Sequence, residues 1–175
     1  MNRIDKIRRI LRRKVHSLIM GRLMTLGLVL EKDQILLGMK KAGFGAGRWN
    51  GFGGKVQGGE TVEAAMVREC EEECGIKVTK YEQVGQIDFN VMFKGNREIL
   101  STHFFRILEY SGTPTETEEM KPQWFKTNEI PYKSMWADDS YWMPIFLRGK
   151  KFNGNIKFDE KDIMLENNIK EVEKL

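Results

Sequence analysis

Thr61 to Cys74 is the stretch that most narrows what this chain can become. Its fourteen residues contain neither Gly nor Pro, two glycine pairs precede it (Gly53-Gly54 and Gly58-Gly59), and Gly75 closes it. Strong helix formers fill it, and Gly75 stands where a helix commonly ends in the left-handed conformation. At about 100° per residue, Glu69, Glu72 and Glu73 fall at i, i+3 and i+4 and share one face. Val67, Cys70 and Cys74 share another, which can bury against a sheet. Glu71 points away from both and reads as plain surface. Like charges at this spacing weaken an isolated helix by a few tenths of a kcal/mol per pair, and a bound cation reverses that sign. Clustered hard oxygen donors without His or Cys among them suit Mg²⁺ or Mn²⁺. The alternative is a solvated acidic face with no ligand.

The rest of the chain supplies strands for that helix to pack on. Met24–Lys41 reads as two apolar strands around a polar Glu-Lys-Asp turn. Ala42–Gly54 holds six glycines in thirteen residues and reads as a loop of special backbone geometry. Val84–Phe93 and Glu98–Tyr110 form a long hairpin across Lys94–Arg97. Pro122–Pro131 carries a short strand. Asp139–Gly149 is a helix capped by Asp139 or Ser140, and Asn155–Asp159 is a last strand. With 175 residues and 41% hydrophobic content, the chain suits one α/β domain with antiparallel and mixed strands around few helices.

Charge is unevenly placed. Residues 1–22 hold eight basic side chains and one acid, Asp5, so the net +4 belongs to this arm and the remainder is mildly acidic. The arm is an organelle-targeting peptide, a contact for RNA or anionic lipid, or a solvated extension. No apolar run reaches the roughly 20 residues of a membrane span. Cys70 and Cys74 give no disulfide framework and point to a reducing compartment. Two histidines, His16 and His103, leave little room for a His-rich zinc site or a Ser-His-Asp triad.

Gly54, five residues, Glu60, seven residues, then Arg68-Glu69-Cys70-Glu71-Glu72-Glu73-Cys74-Gly75-Ile76 resembles the box of the Nudix hydrolase superfamily. The family usually has an aliphatic residue at Cys70, and a free Cys behaves as a small hydrophobe there. The stretches LLGMKKAGFGAGRWNGFGGKVQ, VGQI, GTP…EEM and MWADDSYW are similar to the branch of the superfamily that acts on oxidised purine nucleoside triphosphates. The likeness runs from about Leu23 to Leu175. Three departures stand out: Gly58 where the family tends to have Glu, a hairpin tip near Gly95 about two residues longer, and Ala137 in place of a proline.

The resemblance implies a Nudix fold, an α/β/α sandwich with a mixed, mostly antiparallel curved sheet. It places a Nudix domain over residues 22–175 after a basic extension over 1–21. It implies Mg²⁺-dependent hydrolysis of nucleotides such as 8-oxo-dGTP and 2-oxo-dATP to monophosphate and pyrophosphate, which keeps damaged bases out of DNA. Mn²⁺ would be a substitute metal. Glu69, Glu72, Glu73 and the Gly53 carbonyl would hold the metal, Glu119 would complete the site, and Glu73 or Glu119 would be the base. Arg68 would hold a glutamate in its rotamer, and Glu60 would hydrogen-bond near the helix start. Lys40, and more weakly Lys55, would reach the phosphates or sugar.

Phe44, Phe89, Trp136 and Trp142 would wall the base, beside Phe52, Gly53 and Gly54 of the glycine-rich loop. Asn50 offers a donor and an acceptor, and Thr25 a minor polar contact. Asp138 and Asp139 either cap a helix or share a proton at the base. A monomer is expected, in the cytoplasm with a mitochondrial or nuclear fraction. Capped RNA or a dinucleotide is the competing substrate, favoured by the basic arm. A silent Nudix domain acting as a binding module is the competing class, and the three crowded carboxylates argue against it.

Overall fold

The computed structural model describes residues 21–93 and 95–175. Apart from Gly21 and Arg22, which begins the first strand, the basic arm and every reading placed on it lie outside the described residues. Among these residues, no helix is long and apolar enough to cross a membrane.

Strands β1 (Arg22–Glu31) and β2 (Gln34–Lys40) form the first hairpin. They pair only from Val29 with Leu36 to Glu31 with Gln34. Beyond that point the sheet forks. The far half of β2 pairs with β3 (Trp49–Asn50), while β1 bridges to Phe52 and Lys55 of the glycine-rich segment. On the other side of β1 lies β5 (Asn96–Ser111), in parallel, and β5 makes a long antiparallel ladder with β4 (Lys77–Phe93). Strand β6 (Met120–Lys126) lines β2, and β7 (Lys151–Phe158) runs parallel to β4. Strands β8 (Met164–Asn167) and β9 (Lys170–Val172) both pair with β7. Two of the eight pairings are parallel, so the nine-stranded sheet is mixed and mostly antiparallel.

Side-chain alternation along these strands feeds two cores. Leu26 and Leu28 of β1 and Phe104 of β5 join Trp142, Met143 and Phe146 of helix α2 (Asp139–Leu147) on one face. Val29, Phe105 and Ile107 join Met66, Cys70 and Cys74 of helix α1 (Val62–Cys74) on the other. Each fully buried Leu or Phe stabilises this arrangement by about 1.5–3 kcal/mol of apolar transfer. The result is the expected α/β/α sandwich.

Helix α1 begins one residue inside the predicted span. Thr61 is its N-cap, its hydroxyl accepting the Ala64 N–H at 3.2 Å. Gly75 ends it at φ 74°, its N–H donating to the Glu71 carbonyl at 3.0 Å. Glu71 is exposed, as read from the helical wheel.

The structure differs from the sequence reading in several elements: the expected loop Ala42–Gly54 contains β3, and the strand expected over Asn155–Asp159 begins at Lys151. The hairpin ladder starts at Lys77 rather than Val84 and runs to Ser111. Its extra stretch is polar and carries three register shifts between Val78 and Gly85, so it lacks clean alternation. Strands β8 and β9 were not anticipated, because exposed edge strands carry little apolar signal. Helix α2 is capped at Asp138, not Asp139 or Ser140, and the Asp138 side chain makes no capping bond. Its carboxylate, like that of Asp139, is turned to other partners.

Gly75→Ala tests the helix stop. The nearest atom to an added Cβ is 3.8 Å away, so the cost is conformational. Left-handed backbone should lower stability by about 1 kcal/mol in denaturant melts, with no change in specific activity. An unchanged midpoint would contradict the account.

Candidate active site

The fork between β1 and β2 opens a cavity of about 630 Å³, within the usual range for small-molecule sites. Thr25 and Leu26 of β1, Lys40 of β2, the loop at Gly43–Gly45, and Asn50, Gly51, Gly53 and Gly54 are among its lining residues. Phe89, Val91, Leu100 and Phe104 from the long hairpin also line it. Trp136, Asp138, Asp139 and Trp142 lie at one end, and Glu118, Glu119 and Met120 lie along the rim that leads to α1.

Glu69, Glu72 and Glu73 do not themselves line the cavity; the glutamate face of α1 is tied to it through the bonds of Glu73 to two lining residues, Lys40 and Gly53. The Glu73 carboxylate is 1% exposed, accepting from Lys40 Nζ at 3.0 Å and from the Gly53 N–H at 2.8 Å. Lys40 Nζ also donates to Glu119 Oε2 at 3.2 Å, so one ammonium joins the two carboxylates. Glu119 is brought there by a loop fastened to the end of α1. The Thr115 N–H donates to the Cys74 carbonyl and the Thr117 hydroxyl to the Glu73 carbonyl. These bonds satisfy helix-end carbonyls that lack intrahelical partners. Burial pushes the Glu73 carboxyl up from its ordinary value, against the pull of Lys40 and Gly53. Burial lowers Lys40, but the two carboxylates outweigh it and its pKa is raised.

A second cation holds the other acids. Arg68 donates to Glu69 at 2.8 Å, to Glu72 at 2.9 Å and to Glu60 at 2.8 and 3.2 Å. Glu60, which also accepts the Gln57 N–H, is thereby held below its usual range. Two glycines make the approach possible. A Cβ on Gly53 would lie 1.9 Å from the Thr25 carbonyl oxygen, and one on Gly54 would lie 2.6 Å from Glu69 Oε1. Among the described residues, no three acidic, His or Cys side chains converge in metal-holding geometry. Arg68 draws Glu69 and Glu72 to itself, and Lys40 stands between Glu73 and Glu119. The donor chemistry nevertheless fits a hard divalent cation, since every candidate ligand is an oxygen and two side-chain cations already offset the crowded charge.

At the opposite end, Asp138 and Asp139 are 4% and 2% exposed. Asp138 Oδ2 accepts the Trp142 indole N–H at 3.1 Å, and Asp139 Oδ2 accepts the Trp136 backbone N–H at 3.0 Å. Burial pushes both carboxyls up, and the Asp138 charge pushes Asp139 further. Burial of both, and the Asp138 charge on Asp139, disfavour ionisation of the two together. Asn50 Oδ1 accepts the Gly51 N–H at 2.8 Å, which leaves its NH₂ for a ligand. Thr25 Oγ1 is buried and has no hydrogen-bond partner among the described residues.

Three sequence expectations change here. Phe52 does not line the cavity, because its ring is wholly buried in the α1-side core. Lys55 is exposed and outside the lining; its carbonyl accepts from Arg68 at 3.3 Å. Trp142 lines the cavity but is only 1% exposed, packed between Phe104 and Phe152, so its role is to hold Asp138. Phe44 does form a wall, 58% exposed and stacked on Trp136 at 5.0 Å. Leu100, Val91 and Phe158 also line the cavity and were missed. All three are apolar strand residues whose pattern is that of any core position.

The NUDIX domain family matches residues 22–146 of this chain. The chain belongs to the NUDIX family. It is 52% identical over 153 residues to the mouse (Mus musculus) protein named oxidized purine nucleoside triphosphate hydrolase, covering 87% of this chain and 97% of that protein. The zebrafish (Danio rerio) protein of the same name is 49% identical over 155 residues, covering 89% and 98%. A crystal structure of a MutT protein from Bacillus halodurans superposes with a TM-score of 0.75 at 25% identity, covering 85% of this NUDIX chain and 97% of its own.

The buried acid pair carries a stability signature. Its folded-state pKa values are raised, so the folded protein binds protons more tightly than the unfolded chain and loses stability as pH rises from the unfolded value of 3.8 through the folded ones. Asp139→Asn removes one titrating carboxyl. The stability of this variant relative to wild type should therefore increase between about pH 5 and about pH 8. Urea melts at the two pH values check this, and a variant that loses stability relative to wild type as pH rises would contradict it.

Proposed function

We propose that this NUDIX chain is a Mg²⁺-dependent hydrolase that converts oxidised purine nucleoside triphosphates to monophosphate and pyrophosphate, and so clears them from the pool of DNA precursors. One observation carries the reading. A single cavity is lined both by the buried Asp138–Asp139 pair and by Lys40, Gly53 and Glu119, of which Lys40 and Gly53 bond to Glu73 of α1 and Lys40 also bonds to Glu119. The mouse and zebrafish relatives, matched over nearly their full lengths, bear the name of that activity.

In this reading, the base enters between Phe44, Phe89 and Trp136. Asp138 and Asp139 read its edge. The neutral member donates and the ionised member accepts, and the shared proton can sit on either, so an edge presenting an acceptor and one presenting a donor are both accommodated. Asn50 NH₂ and Thr25 Oγ1 are polar groups that a nucleotide can satisfy. Lys40 moves from carboxylates to phosphate oxygens as a point charge. Glu69, Glu72, Glu73, the Gly53 carbonyl and Glu119 would hold the metal. Bound there, Mg²⁺ would offset phosphate charge and acidify the attacking water. Arg68 keeps Glu69 and Glu72 oriented, and Glu73 or Glu119 accepts the proton of that water.

The test is pyrophosphate release from a panel of oxidised, methylated and unmodified purine nucleotides, with and without Mg²⁺. Oxidised purines should be preferred and activity should vanish without the metal. Glu73→Gln should lower kcat by about 10²–10⁴-fold with nucleotide binding retained. Asp138→Asn and Asp139→Asn should each raise KM and shift the ratio of 8-oxo-dGTP to 2-oxo-dATP efficiency by different factors. Turnover near wild type in Glu73→Gln would remove the metal-site reading. Unchanged KM for both nucleotides in both Asp variants would reduce the pair to a structural feature.

A further inference from the structure

Beside the acid pair stands an arginine to which the chemistry above gives no part. Arg48 Cζ lies 3.9 Å from the ring centroid of Trp136, whose indole is also stacked by Phe44. Its backbone is fixed at both polar groups: the Arg48 N–H donates to the Gly45 carbonyl at 3.1 Å, and its carbonyl accepts the Lys40 N–H at 3.0 Å. Its guanidinium is held on the outer side by Asp162 at 3.8 Å. We propose that Arg48 is a positioning residue for base recognition: its guanidinium fixes the Trp136 indole at the cavity and, through the Trp136 backbone N–H, the carboxylate of Asp139. The proposal rests on the reading of the Asp138–Asp139 pair as the group that recognises the base.

The geometry gives Arg48 two effects through one side chain. A guanidinium over an indole is attracted to the ring face, which limits how far Trp136 can swing from the cavity. Trp136 in turn donates its backbone N–H to Asp139, so a shift of this residue is felt at the pair. The charge acts directly as well. Burial raises both carboxyls, and the Arg48 charge opposes that rise at each of them. The other ionisable groups around the pair do not replace it. Tyr132, from the short 3-10 turn at Tyr132–Ser134, has a hydroxyl pushed up by burial and by Asp139. Lys133 and Asp162 line the outer recess shared with Arg48. From α2, the pair is faced by the neutral Trp142 indole N–H. Without Arg48, the buried pair would more readily take up a second proton and lose its acceptor.

The test compares wild type, Arg48→Gln, Arg48→Lys and Asp139→Asn on 8-oxo-dGTP and unmodified dGTP across pH, with Mg²⁺ present. Arg48→Gln should raise KM for 8-oxo-dGTP by about three- to thirty-fold, the range of a cation–π contact, while kcat at saturation changes less. Removing a positive charge raises the apparent pKa of the pair, so the acid limb of kcat/KM should move to higher pH. Arg48→Lys keeps the charge and loses the planar stack. It should restore the acid limb while leaving KM partly raised. A wild-type KM and an unmoved acid limb in Arg48→Gln, with wild type still preferring 8-oxo-dGTP and Asp139→Asn still impaired, would overturn the role of Arg48 alone. If Asp139→Asn is also unimpaired, the recognition reading fails and the role of Arg48 falls with it.

Discussion

The carboxylate of Glu73 is the point on which the site depends. It is almost wholly buried, and its two oxygens are committed to Lys40 of β2 and to the Gly53 N–H of the glycine-rich segment. A buried charge without such partners would be strongly destabilising. One side chain therefore ties the helix, the fork in the sheet and the rim of the cavity into a single register. Gly53 can approach only because it lacks a side chain, and Lys40 brings Glu119 to the same place. The crowding that weakens an isolated helix is offset here by two cations, Lys40 and Arg68, each shared among several acids.

The two ends of the cavity use charge in opposite ways. At the helix end, positive side chains hold several carboxylates close to one another. At the far end, burial and the Asp138 charge on Asp139 disfavour ionisation of the two together, and the Arg48 charge opposes that. The distance between these ends is set by the sheet. The parallel pairing of β1 with β5 aligns Leu26 with Phe104, and the parallel pairing of β4 with β7 brings Phe89 beside Ile156. Neither pairing is local in sequence, so the cavity exists only once the whole sheet has formed.

Much of this was legible in the sequence where the signal was local. The helix, its Gly75 stop and the shared face of Glu69, Glu72 and Glu73 follow from spacing alone. The burial of Cys70 and Cys74 follows too; burial pushes the Cys74 thiol up to about 12, so it serves as apolar filling. Other features were not local. Phe52 sits beside cavity residues in sequence, yet the bridge to Gly27 turns its ring into the α1-side core. Asp138 and Asp139 read equally well as helix caps, and only their burial among Trp136, Trp142 and Arg48 separates the two readings. The lower half of the long hairpin was obscured by bulges, and β8 and β9 by their exposure.

The central claim is that the acids of α1, held by Lys40 and Arg68 in the free protein, form a site for a hard divalent cation. Calorimetric titration of Mn²⁺ into the nucleotide-free full-length protein tests this most directly, with Glu73→Gln beside wild type. The account predicts saturable binding to wild type, weakened about tenfold or more in Glu73→Gln. Absence of saturable binding, or equal affinity in the two proteins, would contradict it.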